Sequence, residues 1–155
     1  MTVAEKLVEL LKAQGLTCAT AESCTGGGVG SAITAVPGSS AVFAGGVISY
    51  ANEVKRDVLG VSDHNLQTVG AVSPEVAAQM ADGARRLLKT DLAVSLTGIA
   101  GPDGGSAEKP VGLVWFGLST ASGTRTEKVI FSGDRAKVRA QAVVHALGML
   151  TIAAT

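Results

Sequence analysis

The chain has 155 residues, 46% of them hydrophobic yet only five aromatic (three Phe, one Trp, one Tyr), with 20 glycines and 13 basic residues balanced by 13 acidic ones. A chain of this length buries roughly 70% of its unfolded surface without metals or disulfides. The even charge, with no Lys/Arg run interleaved with aromatics, excludes the electrostatic footprint of a nucleic-acid binder.

Thr2 and Glu5 fit a capping box, and Val3, Leu7, Leu10 and Leu11 share a helical face that stops at Gly15, which predicts a helix over 2–14. Residues 16–22 read as a short buried strand, by its place between two helix signals. Residues 25–36 follow as a Gly-rich helix ended by Pro37-Gly38, where each interior glycine costs about 1 kcal/mol against Ala unless close packing or a ligand compensates. An apolar β-rich run over 41–50, interrupted by Gly45-Gly46, precedes a helix at about 52–59 and a loop containing His64.

Ser73-Pro74-Glu75 supplies an N-cap, a proline at the first helical position and an acidic first turn; Val76, Met80, Ala84, Leu87 and Leu88 mark the inner face of the helix it starts. Residues 91–97 form a strand leading into a loop, 98–105, with four glycines. Segments 111–119 and 124–131 alternate about Ser122-Gly123 as an antiparallel hairpin. Asp134 then caps a last helix running to about Ala153, with Val138, Ala142 and Met149 inward. The expected architecture is one domain over 1–155, a three-layer α/β/α sandwich with a mixed sheet of about five strands and a C-terminal antiparallel hairpin. Ligands of such sheets gather beyond the carboxyl ends of the strands, so the loops after Glu22 and Thr97 share one rim.

The run Ala21-Glu22-Ser23-Cys24-Thr25-Gly26-Gly27-Gly28 joins a carboxylate, hydroxyls, a thiol and bare backbone in one loop, suited to a small polar ligand. It lacks the G-x-G-x-x-G spacing of a dinucleotide site, and no G-x-x-x-x-G-K-[ST] occurs. His64 and His145 are isolated, one read as a surface side chain and the other as part of a helix face, and no Cys/His/carboxylate spacing suits a metal. A Ser-His-Asp triad would need one of those histidines, and neither adjoins a candidate ligand loop. What remains is a serine activated by a lysine: 37–55 offers Ser40, Tyr50 and Lys55, provided the amine is desolvated enough to be neutral. The same residues also read as a capping serine, a sheet-edge tyrosine and a solvated lysine.

Several ordered blocks shift that balance. Ala21-Glu22-Ser23-Cys24-Thr25-Gly26-Gly27, Pro37-Gly38-Ser39-Ser40, Gly45-Gly46-Val47-Ile48-Ser49-Tyr50-Ala51-Asn52 with Lys55, Gly70-Ala71-Val72-Ser73-Pro74-Glu75, Thr97-Gly98-Ile99-Ala100-Gly101-Pro102, Lys109-Pro110-Val111-Gly112 and Phe131-Ser132-Gly133-Asp134-Arg135 with Arg139 together resemble the C-terminal domain of the competence/damage-inducible protein CinA, a family that also occurs alone as an amidohydrolase of nicotinamide mononucleotide. The resemblance implies hydrolysis of a pyridine-nucleotide carboxamide in salvage of the nucleotide, with no metal or organic cofactor. Met1 directly ahead of the first helix looks like the stand-alone form.

The implied site has Ser40 as nucleophile, Lys55 as base and Tyr50 as relay, with Ser23 as the other candidate nucleophile. Ser23, Thr25 and Thr97 would meet polar ligand atoms. Backbone of Gly26, Gly27, Gly98 and Gly101, with Arg139 and Arg135, would meet phosphate. Cys24 reads as a small buried apolar side chain. A non-catalytic nucleotide sensor or a structural interaction domain are the competing functions. The longest apolar stretches, such as 42–48, fall short of the roughly 20 residues that span a bilayer. Cys18 and Cys24, with no signal peptide ahead of them, point to reduced thiols and a cytoplasmic home. Many Ala and Val side chains on lightly charged helices suit a homodimer or larger homo-oligomer with a small-molecule substrate, no nucleic acid and no membrane.

Overall fold

The computed structural model describes residues Met1–Thr155 and holds a five-stranded sheet between two helical layers. The chain order is α1 (Val3–Gln14), β1 (Cys18–Glu22), α2 (Gly28–Thr34), a 3-10 turn (Ser39–Ala41), β2 (Phe43–Ile48), α3 (Asn52–Asp57), α4 (Asp63–Thr68), α5 (Pro74–Leu88), β3 (Leu92–Gly98), β4 (Leu113–Thr120), β5 (Gly123–Ile130) and α6 (Arg135–Ala153). Strands lie in the order β2-β1-β3-β4-β5. The first three are parallel, and β3, β4 and β5 alternate in direction, so the sheet is mixed with a C-terminal hairpin as expected. No helix is long and apolar enough to cross a membrane.

The cap signals act at the atoms they name. Thr2, Ser73 and Asp134 each accept a backbone N–H at the third position of α1, α5 and α6. Two expectations shift. The helix expected at 25–36 begins only at Gly28, because Gly26 and Gly27 both take left-handed backbone (φ +57° and +102°) and the Thr25 hydroxyl goes to Glu22 instead of a helix N–H. The loop expected around His64 contains α4, capped by Ser62; none of its residues is buried, so no apolar period announces it.

Burial explains the layering. All five residues of β1 and the first six of β3 are buried, as central strands covered on both faces must be. One face packs α1, α2 and α6 through Leu7, Leu11, Val29, Ile33, Val138, Ala142 and Leu150 against Val94, Leu96 and Phe116. The other packs α5 and the segment after α3 through Val76, Met80, Ala84, Leu59 and Val61 against Ala19, Ala21 and Ala93. Leu87, expected on the inner face of α5, is half exposed, near the end of that helix.

Parallel pairing of β1 with β2 and β3 sets Glu22 opposite Ile48 and Leu96, so the segments after these strands leave one rim together. The antiparallel β4 and β5 bring Leu113 and Ile130, and with them the start of α6, to the same rim.

Close approach of α5 to the sheet depends on Gly117 of β4, where a Cβ would run into the Ala77 carbonyl and the Ser95 hydroxyl that donates to it. Gly117→Ala is expected to cost about 1–3 kcal/mol through overpacking. A lowered thermal midpoint checks this, and an unchanged one would show that α5 is not seated on that glycine.

Candidate active site

At the rim the structure forms a cavity of about 280 Å³. Its walls come from the turn after β1 (Ser23, Cys24), the segment into α3 (Tyr50, Asn52, Lys55), the approach to α5 (Ala71, Val72), the end of β3 and its glycine-rich loop (Thr97–Gly101, Asp103, Gly104), and Arg135 of α6. A larger hollow, about 540 Å³, lies at the opposite end of the sheet between the β4–β5 turn and the end of α6. Its charged side chain, Arg125, is already paired with Glu127.

Lys55 is the centre of the rim cavity. It is 1% exposed, and no carboxylate pairs with its amine. Nζ lies 2.7 Å from the Ser49 carbonyl oxygen, 3.1 Å from that of Tyr50 and 3.1 Å from Ser23 Oγ. Burial pulls the ammonium's pKa below its ordinary value. In the neutral form two N–H groups satisfy the two carbonyls, which can only accept; the nitrogen lone pair is then left for the Ser23 hydroxyl to donate into.

The turn that carries Ser23 is braced from both sides. The buried Glu22 carboxylate accepts from Thr25 Oγ1 at 2.6 Å, Val29 N at 2.9 Å and Gly30 N at 3.0 Å. Arg139, reaching over from α6, donates through Nε to the Cys24 carbonyl at 3.0 Å and through NH2 to the Thr25 carbonyl at 3.3 Å. Ser23 N–H continues the sheet onto the Leu96 carbonyl at 3.1 Å. The next two amides, Cys24 N–H and Thr25 N–H, donate to no backbone carbonyl. Burial pushes the Cys24 thiol up to about 11, so it stays protonated at neutral pH.

The expected site residues therefore divide. Ser23, Tyr50, Lys55, Thr97, Gly98 and Gly101 line one cavity. Ser40 does not: it sits in the 3-10 turn before β2, while Lys55 follows that strand's other end. Six strand residues at ~3.3 Å each put roughly 20 Å between them, and the expected Ser40–Lys55 pairing is absent. Thr25, Gly26, Gly27 and Arg139 shape the turn behind Ser23 and do not line the cavity. Arg135 is the arginine on the wall, anchored to the Gly101 carbonyl at 2.9 Å. Sequence reasoning missed Asn52 and Asp103 as lining residues and Glu22 as the buttress. A carboxylate immediately before a hydroxyl-rich, glycine-rich turn was the available signal for Glu22.

Two outcomes check this geometry. Arg139→Ala is expected to speed hydrogen exchange at the Gly26 and Gly28 amides, which close the turn onto Ser23 and Thr25; unchanged exchange with weakened ligand binding would instead make Arg139 a ligand contact. Lys55 binds a proton more weakly folded than unfolded, so its contribution to stability rises with pH from the depressed folded pKa up to about 10.4. The stability difference between wild type and Lys55→Met should move in favour of wild type as pH is raised through that window, measured by denaturant titration; a pH-independent difference would contradict it.

The chain as a whole is similar to known proteins. A family model described as the CinA C-terminal domain matches residues 1–153. A nicotinamide-nucleotide amidohydrolase PncC from Escherichia coli K12 is 51% identical over 151 residues, 97% of this chain and 92% of that protein. A putative competence-damage inducible protein from Caldanaerobacter subterraneus subsp. tengcongensis is 51% identical over 94% of this chain, which spans only 35% of that longer relative. Among solved structures, the competence/damage inducible protein CihA from Agrobacterium tumefaciens superposes with a TM-score of 0.94 at 44% identity, covering 98% of this chain and 93% of that one. A CinA superfamily protein from Klebsiella pneumoniae gives 0.94 at 35% identity, covering 98% and 95%. With its sequence blocks, its mixed sheet and residues 1–153 accounted for, the chain belongs to the CinA C-terminal domain family.

Proposed function

We propose that the protein hydrolyses the carboxamide of nicotinamide mononucleotide, releasing ammonia and leaving nicotinate mononucleotide, with Ser23 as nucleophile and Lys55 as its base. The observation that carries the reading is the uncharged-acceptor cradle of Lys55, which aims a desolvated amine at the Ser23 hydroxyl 3.1 Å away. The amidohydrolase name of relatives such as the Escherichia coli protein supplies the substrate class.

In the proposed sequence the Ser23 O–H gives its proton to Lys55 Nζ while Oγ bonds to the carboxamide carbon. The oxygen of that carboxamide becomes an oxyanion, received by the N–H of Cys24, a cavity residue whose amide donates to no backbone carbonyl, a donor of this kind contributing about 2.7–4 kcal/mol in known cases. The Lys55 ammonium then protonates the amide nitrogen, the C–N bond breaks and ammonia leaves, with the acyl group as an ester on Ser23. Water attacks that ester, passing a proton to Lys55. Collapse of the second tetrahedral intermediate restores Ser23, which recovers its proton from Lys55. Thr97, whose hydroxyl donates to the Ala71 carbonyl at 3.0 Å, keeps lone pairs to accept from the substrate, and Arg135 faces the phosphate.

Purified protein should release ammonia from nicotinamide mononucleotide. Ser23→Ala and Lys55→Met should each lower kcat by about 10³-fold or more, while Ser40→Ala should stay within a few fold. Nucleotide binding without ammonia would favour the sensor reading instead. Loss of activity in Ser40→Ala equal to that in Ser23→Ala would overturn the choice of nucleophile.

A further inference from the structure

Resting on that reading, we infer that the site selects pyridine rings bearing a fixed positive charge on the ring nitrogen, and that this charge holds Lys55 in its proton-accepting form while substrate is bound. The argument starts from which charges the cavity has and lacks. Lys55 meets three oxygens and none is ionised: a serine hydroxyl and two main-chain carbonyls. Glu22, next to Ser23 in the chain, has both oxygens committed to Thr25, Val29 and Gly30, and Glu53 and Asp57, which flank Lys55 in α3, are exposed, Asp57 paired with Arg56.

The ionisable groups on the cavity wall besides Lys55 are Cys24, Tyr50, Asp103 and Arg135, with Glu22 and Arg139 behind the turn. Cys24 stays a thiol, and Arg135 is drawn to the Gly101 carbonyl. Asp103 alone offers an unengaged carboxylate, since no cation pairs with it.

A carboxamide carbon brought to Ser23 Oγ carries its ring with it, and in a 3-carboxamide the ring nitrogen is one ring atom removed from the substituted carbon. A cationic nitrogen so placed lies close to Lys55 Nζ, whose buried amine is little screened by solvent. Ring cation and ammonium then exclude one another, while Asp103 attracts the ring and gives binding its direction. A neutral ring neither gains Asp103 nor drives the proton from Lys55. The preference is therefore for N-substituted pyridinium carboxamides over neutral aromatic carboxamides of the same shape, for a reason apart from the greater electrophilicity of the charged ring.

The test compares nicotinamide mononucleotide with the C-nucleotide of benzamide, which has the same carboxamide and phosphate on an uncharged ring. The acid limb of kcat/KM reports the free enzyme and that of kcat reports the complex. With the pyridinium nucleotide the kcat limb should lie about one pH unit below the kcat/KM limb, the size expected of one charge several ångströms away. With the benzamide nucleotide the two limbs should coincide. Each substrate is compared with itself, so intrinsic reactivity drops out, and the phosphate is common to both.

If the analogue is not turned over, calorimetry of Ser23→Ala in two buffers of different ionisation enthalpy gives the same information. At a pH on the acid limb, nicotinamide riboside should release protons on binding and benzamide riboside none. Asp103→Asn should raise KM for the pyridinium nucleotide about tenfold and leave that of the neutral one within twofold. Equal limb displacement, or equal proton release, for charged and neutral rings would overturn the inference. Absence of ammonia from nicotinamide mononucleotide would overturn the hydrolase reading itself, whereas ammonia release with coincident limbs for both substrates would overturn only the charge selection.

Discussion

A primary amine taken out of water without a counter-ion is the constraint around which the rim is organised. Left in bulk solvent, a lysine is an ammonium with nothing to offer a serine hydroxyl. Buried and given a carboxylate, it would remain an ammonium, held there by its partner. Lys55 is buried and given two carbonyls, which take the hydrogens of a neutral amine and have no charge with which to hold a third proton. The arrangement costs stability, because the unfolded chain binds that proton freely. The hydrophobic packing on both faces of the sheet supports the fold around it.

The complementary half of the site is a turn gripped by opposite charges. Glu22 collects N–H groups from the beginning of α2, and Arg139 collects carbonyls from the residues just before it. Between them, the backbone of 23–25 has little freedom, and Ser23 is presented from the end of a fully buried strand. Glu22 also reaches Lys55 through the main chain: its carbonyl receives the Ser49 N–H at 2.8 Å, and the Ser49 carbonyl is one of the two acceptors of the amine. The proposed nucleophile and base are thus tied to one residue by a few hydrogen bonds, and a ligand-binding rim built this way needs little reorganisation to act.

Much of this was legible in the chain before folding, and the gaps have physical causes. Caps at Thr2, Ser73 and Asp134, the hairpin and the two glycine-rich loops are local signals and appear where local chemistry puts them. Helix α4 was illegible because it buries nothing and so leaves no period. The start of α2 was misplaced because Thr25 had two uses for its hydroxyl, and the structure gives it to a carboxylate that sequence spacing does not single out. Proximity along the chain pairs Ser40 with Lys55 in the sequence. In a parallel sheet, though, the segments before and after a strand lie at opposite ends of the strands, whereas Ser23, 32 residues away from Lys55 in sequence, follows β1 at the same end that Lys55 follows β2. Nor does periodicity forecast the burial of Lys55, whose neighbours Glu53, Arg56 and Asp57 are exposed.

Main-chain carbonyls as the partners of Lys55 have an evolutionary corollary. A side-chain acceptor can be lost in a single codon change, but every residue type carries the same carbonyl, so a change of side chain at 49 or 50 does not by itself remove the atoms that set the state of the amine. Selection on the cradle acts on the path of the backbone between β2 and α3. Insertions and deletions there, far more than substitutions, are the lesions that lineages of this fold would have to avoid.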